Sequence, residues 1–331
     1  VTSTGAQPVE AERQEVRIAV VMNGGVSLAI WISGVAMELH RIVSSGRMVA
    51  DQTVREYQAL LQLLLASVRI DVISGTSAGG LNGGFLAVGL TRDAPLDAMG
   101  VMWADQGAFL ELLRQPQERN PASLLRGDGH FLPTVAKAYR TIWDAGRTKP
   151  AAEQDDPLEL ILTCTLWDGR RTTFTDDMRR SITEVDYDGR FRFTNDGERT
   201  LGAAGDLTDE RVLRQLAVAS RCTSSFPGAF EPHYVTPLDQ DGAMQVAAQR
   251  QQWPSSGGMA TFEPPTFAVD GGVLLNKPIR PALEAVYRQS ASAQVRRLLV
   301  YVVPNPGVTR EQTAPPPATS PRPSATPKAQ E

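Results

Sequence analysis

The chain has 331 residues, 42% of them hydrophobic, and a formal net charge of −4. That suffices for the core of one large α/β unit or of two average domains, and the slight acidity excludes the global basic field of a nucleic-acid binder. Of its 33 basic residues only Lys137, Lys149, Lys277 and Lys328 are lysines, and the arginines are scattered along the chain rather than gathered in a patch.

Two cysteines, Cys164 and Cys222, are too few for a disulfide framework and read as reduced core thiols of a cytoplasmic protein. Residues 1–14 are polar and acidic, lack a leader pattern, and are expected to form a disordered tail. The β-branched run 16–22 predicts a buried strand ending in the turn Asn23-Gly24-Gly25. The apolar stretch 26–39 is broken by Ser27, Ser33, Gly34 and Glu38, so it reads as a loop and a buried helix, short of the ~18 apolar residues of a membrane span. The helix is expected from Gly34, with Val35, Leu39, Ile42 and Val43 on one face at helical spacing. A second helix over 52–68 carries Val54, Tyr57, Leu61, Leu64 and Val68 on one stripe. It delivers the chain into strand 69–75 and, past a sharp turn, the uncharged helix 81–90.

Residues 91–150 read as mostly helical, over 99–113 and 134–145. Strand 158–167 is followed by a turn at Asp168-Gly169 into 171–174, and a further strand is expected at 191–194. Helix 208–220 has Thr208 as its N-cap and Val212, Leu213, Leu216 and Ala219 inward. The polar, Gly- and Pro-rich stretch 240–265 reads as an exposed insertion. Strand 265–269 ends at Asp270-Gly271-Gly272, a helix over 278–289 opens with Pro278 in its first turn, and strand 296–303 follows. Beyond Pro304, the prolines 315, 316, 317, 321, 323 and 327 among Thr, Ser and Ala describe a linker. The expected organisation is therefore a tail (1–14), one catalytic unit (15–306) and a disordered linker (307–331), whose abrupt stop suggests either a truncated chain or a lost C-terminal partner domain. The alternation of strands and helices predicts an α/β fold with a mostly parallel central sheet flanked by helices.

Chemistry gathers at three glycine-rich turns that follow predicted strands. Ser77 is the central residue of Gly75-Thr76-Ser77-Ala78-Gly79, a G-x-S-x-G match between a strand and a helix. A serine at such an apex needs tiny residues two positions to either side, which Gly75 and Gly79 supply. The alternative is a tight strand-to-helix turn with a serine N-cap. Asn23-Gly24-Gly25 offers backbone N–H groups for an anion-binding concavity. Asp270 stands at a strand end with Gly271 and Gly272 behind it; it reads either as a base or as one more Asp-Gly turn, of which the chain has others at Asp128, Asp168, Asp188, Asp196 and Asp241. All three turns are expected at the carboxyl edge of the sheet, where open α/β sheets bind ligands. Together they supply a nucleophile, a base and oxyanion donors.

The ordered set of a Gly-Gly loop, G-T-S-A-G-G and D-G-G-x-x-x-N-x-P (Asp270 to Pro278, with Asn276) resembles the patatin-like phospholipases, over about residues 16–306. Segment 217–232 is similar to the family's segment beneath the site. The resemblance implies a three-layer α/β/α fold and a Ser–Asp lipid acyl hydrolase. Ser77 would be the nucleophile, Asp270 its partner, and the amides around Gly24, Gly25, Val26 and Ala78 the oxyanion donors. Asn23, Ser27 and Leu28 stand where the family reads glycine, arginine and glycine, a variant similar to a bacterial subgroup with longer chains.

Of the three histidines, His40 is expected on a helix and His130 in a glycine-rich loop, while His233 is the one candidate for a triad base. The expected mechanism is a dyad in which Asp270 accepts the Ser77 proton. Neither metal nor cofactor is implied: Asp239-Gln240-Asp241-Gly242 begins like a calcium loop but lacks the later ligands. The expected partner is a lipid or acyl-ester substrate, with peripheral membrane contact left open. Acyl transfer to an acceptor other than water, and a catalytically silent scaffold, are the competing functions.

Overall fold

The structure, a computed structural model, describes residues 14–25, 29–45, 52–101, 109–149, 157–195, 205–235, 260–262, 265–291 and 294–303. The expected tail up to residue 13, most of the 240–265 insertion, the 307–331 linker and the Asp239–Asp241 pair lie outside them.

Strands β1 (Gln14–Met22), β2 (Ala66–Gly75), β3 (Glu159–Thr175) and β7 (Val295–Val302) run parallel in the order β7-β1-β2-β3. The ends of β1 and β2 and the first half of β3 are apolar and buried because both faces of the sheet are covered there, whereas β7, at the edge, leaves Leu298 and Leu299 exposed. Alternate residues serve opposite faces. Ile18, Val20 and Met22 enter the larger core, shared with helices α1 (Ala29–Ser44), α3 (Ala78–Arg92), α6 (Leu132–Ala145) and α7 (Val212–Thr223). Ala19 and Val21 instead meet Ala282 and Ala285 of α8 (Ile279–Arg288) on the other face. Helix, sheet and helix make three layers. Among the described residues the other α-helices are α2 (Gln52–Leu63) and the short α4 (Asp97–Val101) and α5 (Phe109–Leu112).

The other three strands make the sheet mixed. β4 (Ser181–Thr194) pairs antiparallel along one edge of β3. On the opposite edge of β3, β2 pairs only as far as Gly75 opposite Leu162. There β6 (Thr266–Asp270) takes over, antiparallel, ending with Asp270 opposite Cys164, and β5 (His233–Val235) pairs with β6. Asp270 therefore does not rise with a parallel strand as the sequence suggests. It descends toward the carboxyl edge from the other side.

Several local expectations are corrected. α1 begins at Ala29, not Gly34; it buries Ala29, Ile32, Ser33 and Ala36, and Val35, Leu39 and Val43 of the expected stripe pack half-buried against the same core. Its partner helix α3 reaches it through Asn82, whose Nδ2 donates to the Ala29 carbonyl (3.0 Å). α2 stops at Leu63 because the Gln14 N–H bonds the Leu65 carbonyl (2.8 Å) and β1–β2 pairing begins at Ala66. Asp168-Gly169 does not turn the chain. It is an irregularity within β3, with Gly169 at φ 65°, and the hairpin closes at 176–180. Thr208 does not cap a helix: its N–H and hydroxyl both bond Asp206 Oδ1 (2.9 and 2.7 Å), and α7 starts at Val212. Of the helix expected over 99–113, residues 99–101 and 109–112 are helical, in α4 and α5, and Leu113 instead forms an isolated antiparallel bridge with Leu125; 102–108 lie outside the described residues.

Candidate active site

Between the end of β2 and the start of α3 stands Ser77, at φ 54° and ψ −128°, a backbone conformation that a residue with a side chain adopts only under constraint. Its neighbours impose that constraint. A Cβ on Gly75 would lie 2.6 Å from the Gly79 carbonyl oxygen, and a Cβ on Gly79 would lie 2.4 Å from the carbonyl oxygens of both Met22 and Asn23. Glycine at both positions lets the strand end, the helix start and the end of β1 close on one another. The Thr76 N–H continues toward β1, bonding the Met22 carbonyl at 3.2 Å. The Ser77 N–H is taken by Thr223 Oγ1 at the end of α7 (2.9 Å). Ala78 opens α3, so its amide stands at the positive end of a helix dipole.

Asp270 is 1% exposed. Its main chain is fixed on both sides, the N–H donating to the Ser225 carbonyl (3.0 Å) and the carbonyl accepting from the Thr165 hydroxyl (3.1 Å). Oδ1 accepts the Gly272 N–H (2.6 Å), and the Ser77 side chain stands close enough to favour the ionised carboxylate. Burial pushes this carboxyl up to about 6, against the opposing pull of the Gly272 N–H and the Ser77 side chain. Gly271 packs on Thr163, whose carbonyl oxygen would stand 2.5 Å from an added Cβ. The same threonine bonds Thr76, Oγ1 to Oγ1 (2.6 Å); as the Thr76 hydroxyl donates to the Leu275 carbonyl (2.9 Å), Thr163 is the donor between them.

The first glycine turn closes on this pair. A Cβ on Gly24 would lie 2.9 Å from Ser77 Cβ and 2.5 Å from Asn276 Oδ1, and the Gly24 N–H donates to Asn276 Oδ1 (3.0 Å). Asn23 is buried, its N–H bonded to the Val302 carbonyl of β7 (3.2 Å). Gly25 follows at the same edge, while Val26, with Ser27 and Leu28, lies outside the described residues. The structure thus brings together Ser77, Asp270, Gly24, Gly75, Gly79, Ala78, Gly271 and Gly272.

The histidines stand elsewhere. His233 Nδ1 bonds Asp128 Oδ1 (2.8 Å), and Asp128 in turn lies 3.0 Å from Nε of Arg221. Arg221 is wholly buried; it also reaches the Glu231 carboxylate (3.3 Å) and carbonyl (2.8 Å), and bonds the Ser225 hydroxyl. Because Ser225 holds the Asp270 N–H, this ionic cluster underlies the site. His40 is half-buried on α1, and His130 is half-buried in the turn before α6. Among the described residues no group of three or more His, Cys, Asp or Glu could hold a metal ion.

Thr163, Thr223, Ser225 and Arg221 were not singled out by the sequence. Three of them lie in segment 217–232, which the resemblance places beneath the site; for Thr163 nothing in the sequence pointed there. Chemically, the arrangement holds a hydroxyl against a carboxylate of raised proton affinity, beside backbone amides at a helix start.

Comparison with known proteins agrees with this frame. A profile of the family described as patatin-like phospholipase matches residues 20–283. The chain is also 33% identical, over 94% of its length, to a curated protein of Mycobacterium tuberculosis described as an uncharacterized membrane protein, and spans 29% of that relative's length. Among the described residues no helix is long and apolar enough to cross a membrane.

Proposed function

The chain belongs to the patatin-like phospholipase family of lipid acyl hydrolases, and from that premise we propose that it is a serine carboxylic-ester hydrolase of phospholipase A or lysophospholipase type, working through a Ser77–Asp270 dyad. The observation that carries the reading is the Ser77 side chain standing beside the buried Asp270 carboxylate, at a strained elbow.

In the proposed cycle Asp270 accepts the Ser77 proton while Oγ attacks the ester carbonyl carbon, and the carbonyl electrons move to oxygen. The resulting oxyanion is received by amides of the first glycine turn and by Ala78. Collapse breaks the ester C–O bond, and the leaving alcohol takes the proton from Asp270. Water, deprotonated by Asp270, then attacks the acyl-enzyme; collapse releases the fatty acid, and Ser77 regains its proton. A carboxyl near 6 suits this exchange, being ionised at neutral pH yet a better acceptor than an ordinary aspartate of about 3.9. Engagement of His233 by Asp128 supports a dyad over a triad. Residues 15–306 would form the catalytic unit, meeting its lipid by peripheral contact with a membrane. Transfer of the acyl group to an acceptor other than water would use the same steps. The departures at Asn23, Ser27 and Leu28 favour a second reading, a silent scaffold.

The test is turnover of a panel of acyl esters and phospholipids, together with fluorophosphonate labelling. Wild type is expected to hydrolyse and to be labelled at Ser77, Ser77→Ala and Asp270→Asn to lose about 10³-fold or more, and His233→Ala to stay active. A folded wild type that leaves Ser77 unlabelled supports the scaffold, and a folded but dead His233→Ala restores the triad.

A further inference from the structure

Asn276 sits on an unusually well-fixed post. It lies between Leu275 and Pro278, and both of these carbonyls are held by hydroxyls from the end of β2: Thr76 Oγ1 donates to Leu275 (2.9 Å) and Ser74 Oγ donates to Pro278 (3.0 Å). The Leu275 N–H closes back on the Gly271 carbonyl (2.7 Å). From this post Asn276 Oδ1 takes the Gly24 N–H at 3.0 Å. The same oxygen and Asp270 Oδ1 both lie within 3.3 Å of the point where a Gly272 Cβ would stand. One side chain thus ties the turn after β1 to the turn that carries Asp270, and hydroxyls at the end of the strand that delivers Ser77 hold the main chain on either side of Asn276.

We propose that Asn276 is the positioning residue of the oxyanion turn: its Oδ1 occupies the Gly24 N–H, so Gly24 serves as the brace and Gly25 presents its amide to the substrate oxygen. This rests on the hydrolase reading for its catalytic consequence, though the brace stands without it. A donor helps a transition state only when it is aimed before the charge develops. The turn after β1 carries two glycines and so has little stiffness of its own. Asn276 supplies that stiffness from outside the turn, at an exposed position where a change of side chain leaves the core untouched.

The experiment separates the brace from the activity. Amide hydrogen exchange at Gly24, followed by NMR, is expected to be about tenfold faster or more in Asn276→Ala than in wild type, with the unfolding midpoint only slightly lowered, as befits one lost hydrogen bond. In parallel, kcat on a soluble acyl ester is expected to fall on the order of 10- to 100-fold with KM nearly constant, a smaller loss than deleting a donor outright. Asn276→Asp, which keeps an oxygen at the same position, is expected to restore the slow exchange at Gly24. Equal Gly24 exchange in wild type and Asn276→Ala overturns the proposal, as does a loss confined to KM. An inactive wild type that still shows the exchange difference overturns the hydrolase reading and leaves the brace standing.

Discussion

Gly75 and Asp270 end two strands that meet head-on along one edge of β3, opposite Leu162 and Cys164, with Thr163 alone between them. Beyond that meeting point each chain must leave the sheet, and each does so through glycine. The hydroxyl two residues past Gly75 and the carboxylate at the end of β6 are thereby delivered to one place from opposite directions. Thr163 bonds Thr76 on one side and packs against Gly271 on the other, so it sets the spacing between the two turns.

This placement gives Asp270 its pH behaviour. The active form is the carboxylate, so kcat/KM is expected to rise with pH along a limb centred on about 6 and to level off above it. The stability effect has the opposite sense. The folded carboxyl binds its proton more tightly than the unfolded one, whose value is about 3.9, so stability falls as pH rises from about 4 to about 6 and stays lower above. Asp270→Asn removes that penalty and is expected to be inactive yet more stable than wild type, by on the order of 2 kcal/mol at about pH 7. Denaturant unfolding of both proteins, at about pH 4 and about pH 7, reads the difference; a variant no more stable than wild type at the higher pH contradicts it.

The elbow's glycines should differ sharply from a glycine outside it. In Gly79→Ala the added methyl meets two main-chain oxygens at 2.4 Å, which cannot move without separating β1 from α3. A loss of about 3 kcal/mol or more is expected, with slower labelling of Ser77. Gly34→Ala, in the interior of α1 with nothing within 4 Å of the new methyl, is expected to stabilise by about 0.5–1 kcal/mol. Urea unfolding of the two variants checks the contrast, and similar effects at both sites would mean that the elbow is not under steric compression.

The cluster beneath the site should be an acid-sensitive weak point. Burial raises the Glu231 carboxyl, but hydrogen bonds from Ser123 and the Asp128 N–H, together with the charge of Arg221, win and hold it at about 2. Its contribution to stability is present above about 4.5 and is lost as pH falls toward 2. Arg221→Met leaves Asp128 and Glu231 without their shared cation, at an expected cost of about 3–5 kcal/mol. His233→Ala removes only the outer partner of Asp128 and is expected to cost about 1 kcal/mol. Thermal unfolding across the acid range tests both; an Arg221→Met protein as stable as wild type removes the cluster from the account of the site.

Much of the site was legible because its constraints are local. Gly75 and Gly79 lie two residues either side of Ser77, and the clashes that require them are between neighbours in the chain. The apolar runs of β1 and β2 declared themselves for a similar reason, since a strand buried on both faces reads as nearly continuous apolar sequence, whereas β7, read in the same way, lies at the sheet edge with Leu298 and Leu299 exposed. Boundaries failed where a distant partner intervened, as when pairing with β1 drew Ala66 to Val68 out of a helical stripe and into β2.

By itself, then, the sequence determined that a serine elbow, a glycine turn and an Asp-Gly-Gly turn exist and that buried strands lead into them. Only the tertiary structure decided that β6 runs antiparallel to β3, and hence how Asp270 reaches Ser77. It also decided that His233 belongs to Asp128, that Thr223 holds the Ser77 N–H, and that the Gly24 N–H belongs to Asn276. The division is physical. Steric permission for a turn is settled within a few residues of chain, whereas each buried polar group selects its partner from segments that are far apart in sequence and meet only when the sheet is assembled.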